Sequence, residues 1–133
     1  MSRAILLQKW TTIRGLSQAA GATVTNIIQG EDQWLDVGPY QDASFWISCT
    51  EASGSPSLEI DTAPARDEVL FIPLIASFAL APLPTPVVKP ALMLQAGTTT
   101  PLARWVRWKL TVAGNATWDA TFRIWGVFAA PGA

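Results

Sequence analysis

The amino-acid sequence predicts an all-β fold, an antiparallel β-sandwich of about eight short strands, of which the jelly roll is one form. Several short runs alternate apolar and polar residues with a period of two, which is typical of strands with one buried face. Clusters of Gly, Pro and Asn interrupt these runs about every ten residues, and no long segment has a helical period. At 133 residues the chain has room for one domain, which we take to span residues 1–133.

The clearest strand signal lies in the last third of the chain, in the runs 102–112 and 116–128. Each run has an apolar face, formed by Val106, Trp108, Leu110 and Val112 in the first and by Trp118, Ala120, Phe122 and Ile124 in the second. The opposite faces carry Trp105, Arg107, Lys109 and Thr111, and Asp119, Thr121, Arg123 and Trp125. Residues 113–116 have the composition of a turn. The pattern predicts an antiparallel hairpin with one buried and one outward face.

The other strands are shorter, and we predict them at residues 22–28, 33–37, 43–51, 58–62, 69–75 and 87–94. In the run 43–51 the predicted buried face consists of Phe45, Ile47 and Cys49, which alternate with Trp46, Ser48 and Thr50. In the run 58–62, Glu59 and Asp61 alternate with apolar residues and predict a solvated face. Residues 3–14 fit either a strand or a short amphipathic helix, so we treat residues 1–21 as an N-terminal arm.

Residues 82–90 are rich in proline and are predicted to form an extended loop or arm. Proline fixes φ and lacks an N–H donor, so this segment is unsuited to a central strand, and we expect Pro82, Pro84 and Pro86 to contact a neighbouring subunit. The twenty uncharged residues 69–88 have the length of a membrane span. Their four prolines argue against a helix, so we expect no membrane insertion.

The composition favours binding to other protein subunits. Hydrophobic residues make up 50% of the chain and charged residues 14%, against roughly 25% charged in an average soluble domain. Because a small domain has a large surface for its volume, we expect this apolar excess to drive homo-oligomerisation or contact with other subunits. The net charge of −1 gives no electrostatic signature of nucleic-acid binding.

Cysteine usage and the N-terminal sequence bear on the compartment. Cys49 is the only cysteine, which excludes an intrachain disulfide, and we expect it to be a small buried side chain. The first residues lack the apolar stretch of a secretory signal, so we expect the chain to be made in the cytoplasm.

The sequence argues against an enzyme. It has no histidine, which removes the commonest general base, the imidazole-dependent triads and the usual zinc ligand sets. No phosphate-binding or dinucleotide-binding glycine motif is found, so we expect no cofactor. Acidic pairs are the remaining candidates for glycoside hydrolysis or calcium binding, and they are Glu59 with Asp61, Glu31 with Asp32, and Asp67 with Glu68. We interpret them as solvated strand and turn residues and predict no catalytic or metal site.

The outward aromatic and cationic residues of the predicted hairpin are the main candidate site. They are Trp105, Arg107, Lys109, Arg123 and Trp125. Trp and Arg are enriched in interface cores, so a protein-binding surface is one interpretation. Stacking of the indoles and cations on sugars is a second. A third is that this face is covered by the N-terminal segment of the same chain or by the second sheet.

The order of several short segments also carries a resemblance. A strand at 44–47 is followed by a turn at 50–54 and a strand at 58–64, and the chain closes with Arg104-Trp105-Val106-Arg107 and with Ala120-Thr121-Phe122. Over residues 45–127 this arrangement resembles a class of small β-sandwich proteins encoded in the structural gene clusters of tailed bacteriophages.

The resemblance implies a virion component, either a head decoration or cement protein or a subunit of the neck, tail or baseplate. Its expected partners are major capsid or tail subunits, and its expected location is the virion, assembled in the host cytoplasm. The alternative is a carbohydrate-binding or adhesin module on the tail, baseplate or capsid surface. A lectin-like cytoplasmic binder unrelated to phage is a third hypothesis.

Overall fold

The computed structural model describes residues 2–15, 24–92, 100–113 and 117–130. In these residues the chain forms nine strands and two short 3-10 helices, at Glu31–Gln33 and Glu68–Leu70. The strands are β1 (Ser2–Gly15), β2 (Val24–Ile28), β3 (Leu35–Asp36), β4 (Asp42–Ser53), β5 (Pro56–Ala63), β6 (Ile72–Ala79), β7 (Val87–Ala91), β8 (Trp105–Ala113) and β9 (Trp118–Ala129).

The strands form two antiparallel sheets, which confirms the predicted β-sandwich. The first sheet has the order β1-β9-β4-β7 and the second β2-β8-β5-β6, with the short β3 paired to β8. The pairing is nested along the chain: β1 pairs β9, β2 pairs β8, β4 pairs β7 and β5 pairs β6. Eight strands that pair in this way, as one long hairpin folded across two sheets, have the topology of a jelly roll.

The predicted hairpin of the last third is wrong. β9 lies in the first sheet between β1 and β4, whereas β8 lies in the second sheet between β2 and β5. The two strands face each other across the core, where the rings of Trp108 and Phe122 meet edge to face with centroids 5.2 Å apart. Residues 114–116 of the predicted turn lie outside the described residues. A period of two identifies the buried face of each strand and carries no information on which strand is its neighbour.

The core confirms the predicted buried faces. All eight apolar residues assigned to the inner faces of the last two strands are buried, as are Phe45, Ile47 and Cys49 of β4. Burial also raises the pKa of the Cys49 thiol, as expected for a small core residue. The chain passes from β4 in the first sheet to β5 in the second through Gly54 and Ser55, which both have positive φ, 76° and 59°. A tight turn of this kind favours glycine.

Several predicted elements differ in extent. Residues 3–14 belong to a strand, β1, which pairs with β9 from end to end with two β-bulges. The predicted strand 33–37 is reduced to the two residues of β3 after a 3-10 helix. The predicted strand 69–75 begins only at Ile72, because a second 3-10 helix precedes it, and it extends to Ala79. β7, at the edge of the first sheet, contains residues 87–90 of the proline-rich segment, while residues 81–86 are exposed.

Candidate interaction surfaces

The jelly roll divides the predicted hairpin surface between opposite sides of the molecule. Arg123 and Trp125 lie on the outer face of the first sheet, because their neighbours on β9 point into the core. Trp105, Arg107 and Lys109 lie on the outer face of the second sheet, on β8. The sequence prediction of a single continuous stripe is therefore wrong, and the two groups have different environments.

The outer face of the first sheet carries a row of large apolar side chains across all four strands. Leu6 of β1 lies opposite Trp125 of β9, Trp125 lies opposite Trp46 of β4, and Trp46 lies opposite Val88 of β7. Their exposed fractions are between 37% and 43%. Directly opposed residues of an antiparallel sheet share a face and are close neighbours, so these four side chains form one continuous surface.

The next row along the sheet extends this surface. It consists of Ala4, Val127, Ser44 and Pro90, which are opposed in the same order across the four strands. Ser44 is its only polar side chain, and its hydroxyl accepts a hydrogen bond from the Trp46 indole at 3.3 Å. We call these two rows the apolar patch; its members are Ala4, Leu6, Ser44, Trp46, Val88, Pro90, Trp125 and Val127.

A cleft of about 320 Å³ lies beside the apolar patch. Its polar side lies on the sheet, where Arg123 of β9 is opposite Ser48 of β4. The guanidinium of Arg123 lies over the ring of Trp10 of β1, with its Cζ atom 4.9 Å from the ring centroid. The cleft is lined by Trp10, Ser48, Cys49, Thr50, Leu83, Pro84, Thr85, Pro86 and Arg123.

The proline-rich segment forms the far wall of this cleft. β7 pairs with β4 only as far as Ile47, and beyond that point the backbone N–H of Leu83 donates to the carbonyl of Cys49 at 3.3 Å. Pro82, Pro84 and Pro86 are exposed. The segment therefore runs along the edge of β4 with its prolines accessible, and its predicted contact with a neighbouring subunit stays a prediction.

Arg123 has unused hydrogen-bonding capacity. Its Nε atom is buried and has no hydrogen-bond partner. Within the described ranges, the ion pairs involve other cations, and no carboxylate lies within salt-bridge distance of Arg123. A cation held against an aromatic ring without an anionic partner is available for a ligand or a partner group.

The outer face of the second sheet differs from that of the first, because its central cation, Arg107, is buried. The prediction that Arg107 faces solvent is wrong, because two loops close over it. Its Cζ atom lies 4.0 Å from the ring centroid of Phe71 and 5.0 Å from that of Trp34. These two aromatic residues directly follow the two 3-10 helices, and their rings contact each other edge to face at 4.9 Å. Arg107 is thus covered by residues far from it in the chain.

The acidic partners of this cation are covered as well. Asp61 is buried, and its carboxylate lies 3.8 Å from Arg107 Nε, too far for a hydrogen bond. Glu59 is half-buried and pairs with the half-buried Lys109 at 3.3 Å. The prediction of a solvated carboxylate face on β5 is therefore wrong. Cross-strand pairing places Glu59 opposite Lys109 and Asp61 opposite Arg107, and both members of the second pair are buried.

Burial changes the acidity of this carboxylate pair. It raises the pKa of Asp61 from 3.8 to about 7, and the neighbouring Glu59 adds to the increase. The pKa of Glu59 is lowered, first by its hydrogen bond with Asp61 and further by Lys109. The two neighbouring carboxyls thus have pKa values that shift in opposite directions. Asp61 Oδ1 and the Nε and Nη1 atoms of Arg107 have no hydrogen-bond partner.

Trp105 is also partly covered by its own chain. The guanidinium groups of Arg66 and Arg104 lie over its ring at 5.7 Å and 6.0 Å. Arg104 makes a two-point contact with Asp36, at 3.0 Å from Nη2 and 3.2 Å from Nε. This contact holds the pKa of Asp36 below its usual value. The open depression of about 770 Å³ around Asp36 and Arg104 therefore has its charges paired internally.

The structure identifies surface residues that the sequence prediction did not select. Trp10, Trp46, Leu6 and Val88 are exposed on the first sheet. The alternation in β4 already placed Trp46 on the face away from the buried Phe45 and Ile47, so its outward position could be found from the sequence. Trp10 follows a β-bulge that shifts the alternation in β1, which hides it from a period-two pattern.

Neither a metal site nor a membrane-spanning helix is seen in the described part of the chain. No group of three or more Cys, Asp or Glu residues there is placed to hold a metal ion. No helix there is long and apolar enough to cross a membrane.

Comparisons with known proteins show a similarity of fold to a solved structure and no match by sequence. No protein-family model and no curated protein sequence matches the chain. Among solved structures, the chain is similar to a chain in the structure of the infectious bursal disease virus Gx strain, with a TM-score of 0.52 and 12% sequence identity. The similarity covers 99% of this chain and 33% of the viral chain, so this protein spans about a third of that chain's length. At this identity the match supports the β-sandwich fold.

Proposed function

We propose that this protein is a non-enzymatic structural subunit of a virus particle that acts through contacts with other virion subunits. The observation that carries the proposal is the apolar patch, which extends across all four strands of the first sheet and contains Trp46 and Trp125. Two further observations support it. Jelly rolls occur in viral capsid domains, and the chain shares its fold with a chain from a virus structure.

The chemistry of the patch fits a protein partner. Contiguous exposed apolar surfaces mark interaction sites, and tryptophans are the residues most often found to dominate binding energy in interfaces. The patch contains no charged side chain and only one polar side chain, whose hydroxyl already has an indole partner. A partner that covers it would bury large apolar area without leaving a charge unpaired.

The more specific proposal is a capsid decoration or cement protein of a tailed phage or phage-like particle. The sequence resemblance to small β-sandwich proteins of phage structural gene clusters supports it, and the fold likeness to a virus chain is compatible with it. We further propose that the subunit forms homo-oligomers, binds major capsid or tail subunits and joins the particle in the host cytoplasm. The exposed prolines 82, 84 and 86 would supply a rigid contact to a neighbour.

Substitutions in the patch test this proposal. Trp46→Ala and Trp125→Ala should each weaken association by about 2 kcal/mol or more, because exposed indoles of this kind act as interface anchors. Binding is measured by co-sedimentation with capsids and tails of the virus that encodes the chain, and self-association by light scattering. Val69→Ala is the matched control, because Val69 is 83% exposed and lies outside the first sheet. A chain that stays monomeric at high concentration and ignores the particles would contradict the proposal.

A second candidate function is sugar binding by an adhesin or carbohydrate-binding module, and a separate observation favours it. The cleft beside the patch combines an exposed indole, Trp10, with a cation and several hydroxyl groups. Sites for small ligands are concave, contain aromatic surface and present a few polar groups. A glycan array with the intact protein tests this function, and Trp10→Ala should remove any binding that the cleft provides.

A further inference from the structure

The charge of the cleft restricts the ligands that it can accept. Arg123 is the one charged residue among the described residues that line it. A single guanidinium balances one negative charge. A group with one negative charge, such as a carboxylate, therefore fits the cleft better than a doubly charged phosphate monoester, which needs further cations.

The Arg123 guanidinium is positioned to bind a group with one negative charge. Its Cζ atom lies over the Trp10 ring, 4.9 Å from the ring centroid, and cross-strand pairing with Ser48 places the residue on the floor of the cleft. Its buried Nε–H has no acceptor. A carboxylate accepts charge-assisted hydrogen bonds from a guanidinium, so such a ligand would neutralise Arg123 through the part of its side chain that lines the cleft.

The remaining lining groups favour a hydroxylated ligand. Ser48 and Thr50 contribute hydroxyls from β4, and Thr85 contributes one from the proline-rich segment. Hydroxyls both donate and accept, which suits the hydroxyl groups of a sugar ring. Pro84 and Pro86 form a wall of fixed shape, and the partly exposed Trp10 ring offers an apolar surface to sugar C–H groups. The volume of about 320 Å³ is at the lower end of the range for ligand sites, which fits one saccharide unit.

We infer that the cleft between Trp10, Arg123 and the 83–86 segment binds the carboxylate of an acidic sugar unit, such as a uronic acid. This inference deepens the second candidate function, sugar binding, and does not depend on the role of the apolar patch.

Titration with glucuronate, and with glucose as the neutral control, tests the inference on the full chain. Two-dimensional NMR of the indole N–H groups reports binding, and the Trp10 signal is assigned through Trp10→Phe. We expect glucuronate to shift the Trp10 signal with a saturable, millimolar or tighter dissociation constant, and glucose to leave it unshifted. Arg123→Gln should weaken glucuronate binding about tenfold or more, because it removes a charge-assisted hydrogen-bond pair.

Two matched variants keep the result interpretable. Arg14→Gln removes another cation from the same strand layer, one that pairs with Glu51, and should leave glucuronate affinity unchanged. Arg123→Lys keeps the charge and removes the planar fork, so it should bind glucuronate more weakly than the original protein and more tightly than Arg123→Gln. Thermal melting of every variant shows whether a loss of binding reflects unfolding.

Each remaining outcome overturns the inference in a distinguishable way. Equal binding of glucose and glucuronate would refute the role of Arg123 and leave sugar binding intact. Absence of a shift with both sugars would refute the inference, and a negative glycan array would then also remove the second candidate function. If neither sugar binds and Arg123→Gln weakens particle association, the occupant of the cleft is a carboxylate of a protein partner, and the sugar assignment is wrong.

Discussion

The two outer faces of the sandwich differ in what covers them. The second sheet buries a cation, Arg107, beneath Phe71 and Trp34 of its own chain. The first sheet leaves Trp46 and Trp125 exposed although indoles gain more from burial than charged groups do. The chain therefore covers a charged residue of the second sheet, which water solvates well, and leaves apolar residues of the first sheet exposed to water. This difference supports the proposal that a partner covers the first sheet, whereas the chain's own loops cover Arg107 on the second.

Removal of the covered cation should have the largest effect on stability. At a pH above 7, where Asp61 is ionised, Arg107→Met leaves this carboxylate buried without its counter-charge, so we expect a loss of about 3–5 kcal/mol in the free energy of unfolding, measured in urea. The double variant Arg107→Met/Asp61→Leu should recover most of that loss, because an apolar pair can replace a buried ion pair. A loss below about 1 kcal/mol in the single variant would show that the loops do not cover Arg107 in solution.

A pair of substitutions on β9 compares its inner and outer faces. Phe122→Ala should cost about 3–5 kcal/mol of unfolding free energy, because Phe122 is fully buried and leaves a cavity. Trp125→Ala, three residues further and on the outer face, should cost about 1 kcal/mol in the free subunit. Chemical denaturation of both variants decides the point. Equal losses would mean that Trp125 is a core residue and that the patch is not an open surface.

The inner faces of β4, β8 and β9 could be predicted from the sequence, whereas the sheet assignment and the loop cover could not. Alternation places Phe45, Trp108 and Phe122 inside because side chains on a strand alternate strictly between faces. It does not show that β8 and β9 belong to different sheets, because nested pairing joins strands that are distant in the chain. The same limit applies to Arg107, whose cover comes from Trp34 and Phe71.

The candidate site was predictable to a similar extent. Arg123 and Trp125 could be placed on an outward face from their own strand. The row that joins Trp125 to Leu6, Trp46 and Val88 depends on register between four strands, which a single-strand pattern does not contain. The β-bulges of β1 also move Trp10 next to Arg123 in a way that no regular period predicts.

The covered charges should make stability depend on pH. The pKa of Asp61 is raised from 3.8 to about 7 in the folded state, so the folded protein holds a proton there that the unfolded chain has lost. The stabilisation from this proton is complete below about pH 4 and is lost as the pH rises through 7, by roughly 1–3 kcal/mol. The lowered pKa of Glu59 acts in the opposite sense and only as the pH falls through its usual value of 4.5.

Urea denaturation of the original protein and of Asp61→Asn at a series of pH values measures this effect. The stability of the original protein relative to Asp61→Asn should fall between pH 4 and 7, since the amide does not titrate in that window. A difference that is independent of pH would show that Asp61 is solvated or fully paired with Arg107.

The smallest effects on stability are expected in the proline-rich segment. Pro84→Ala and Pro86→Ala should each change the unfolding free energy by about 0.5 kcal/mol at most, because both residues are exposed and lie outside the strands. If this segment contacts a neighbouring subunit, the same variants should weaken assembly in light scattering. A large loss of stability would instead assign the segment to the core of the domain.

Oxidative footprinting of the free and particle-bound chain reports which indoles a partner covers. We expect Trp46 and Trp125 to react in the free subunit and to become protected on the particle, while Val69 reacts equally in both states. Unchanged reactivity of Trp46 and Trp125 on a particle that retains the bound chain would show that the apolar patch is not the interface.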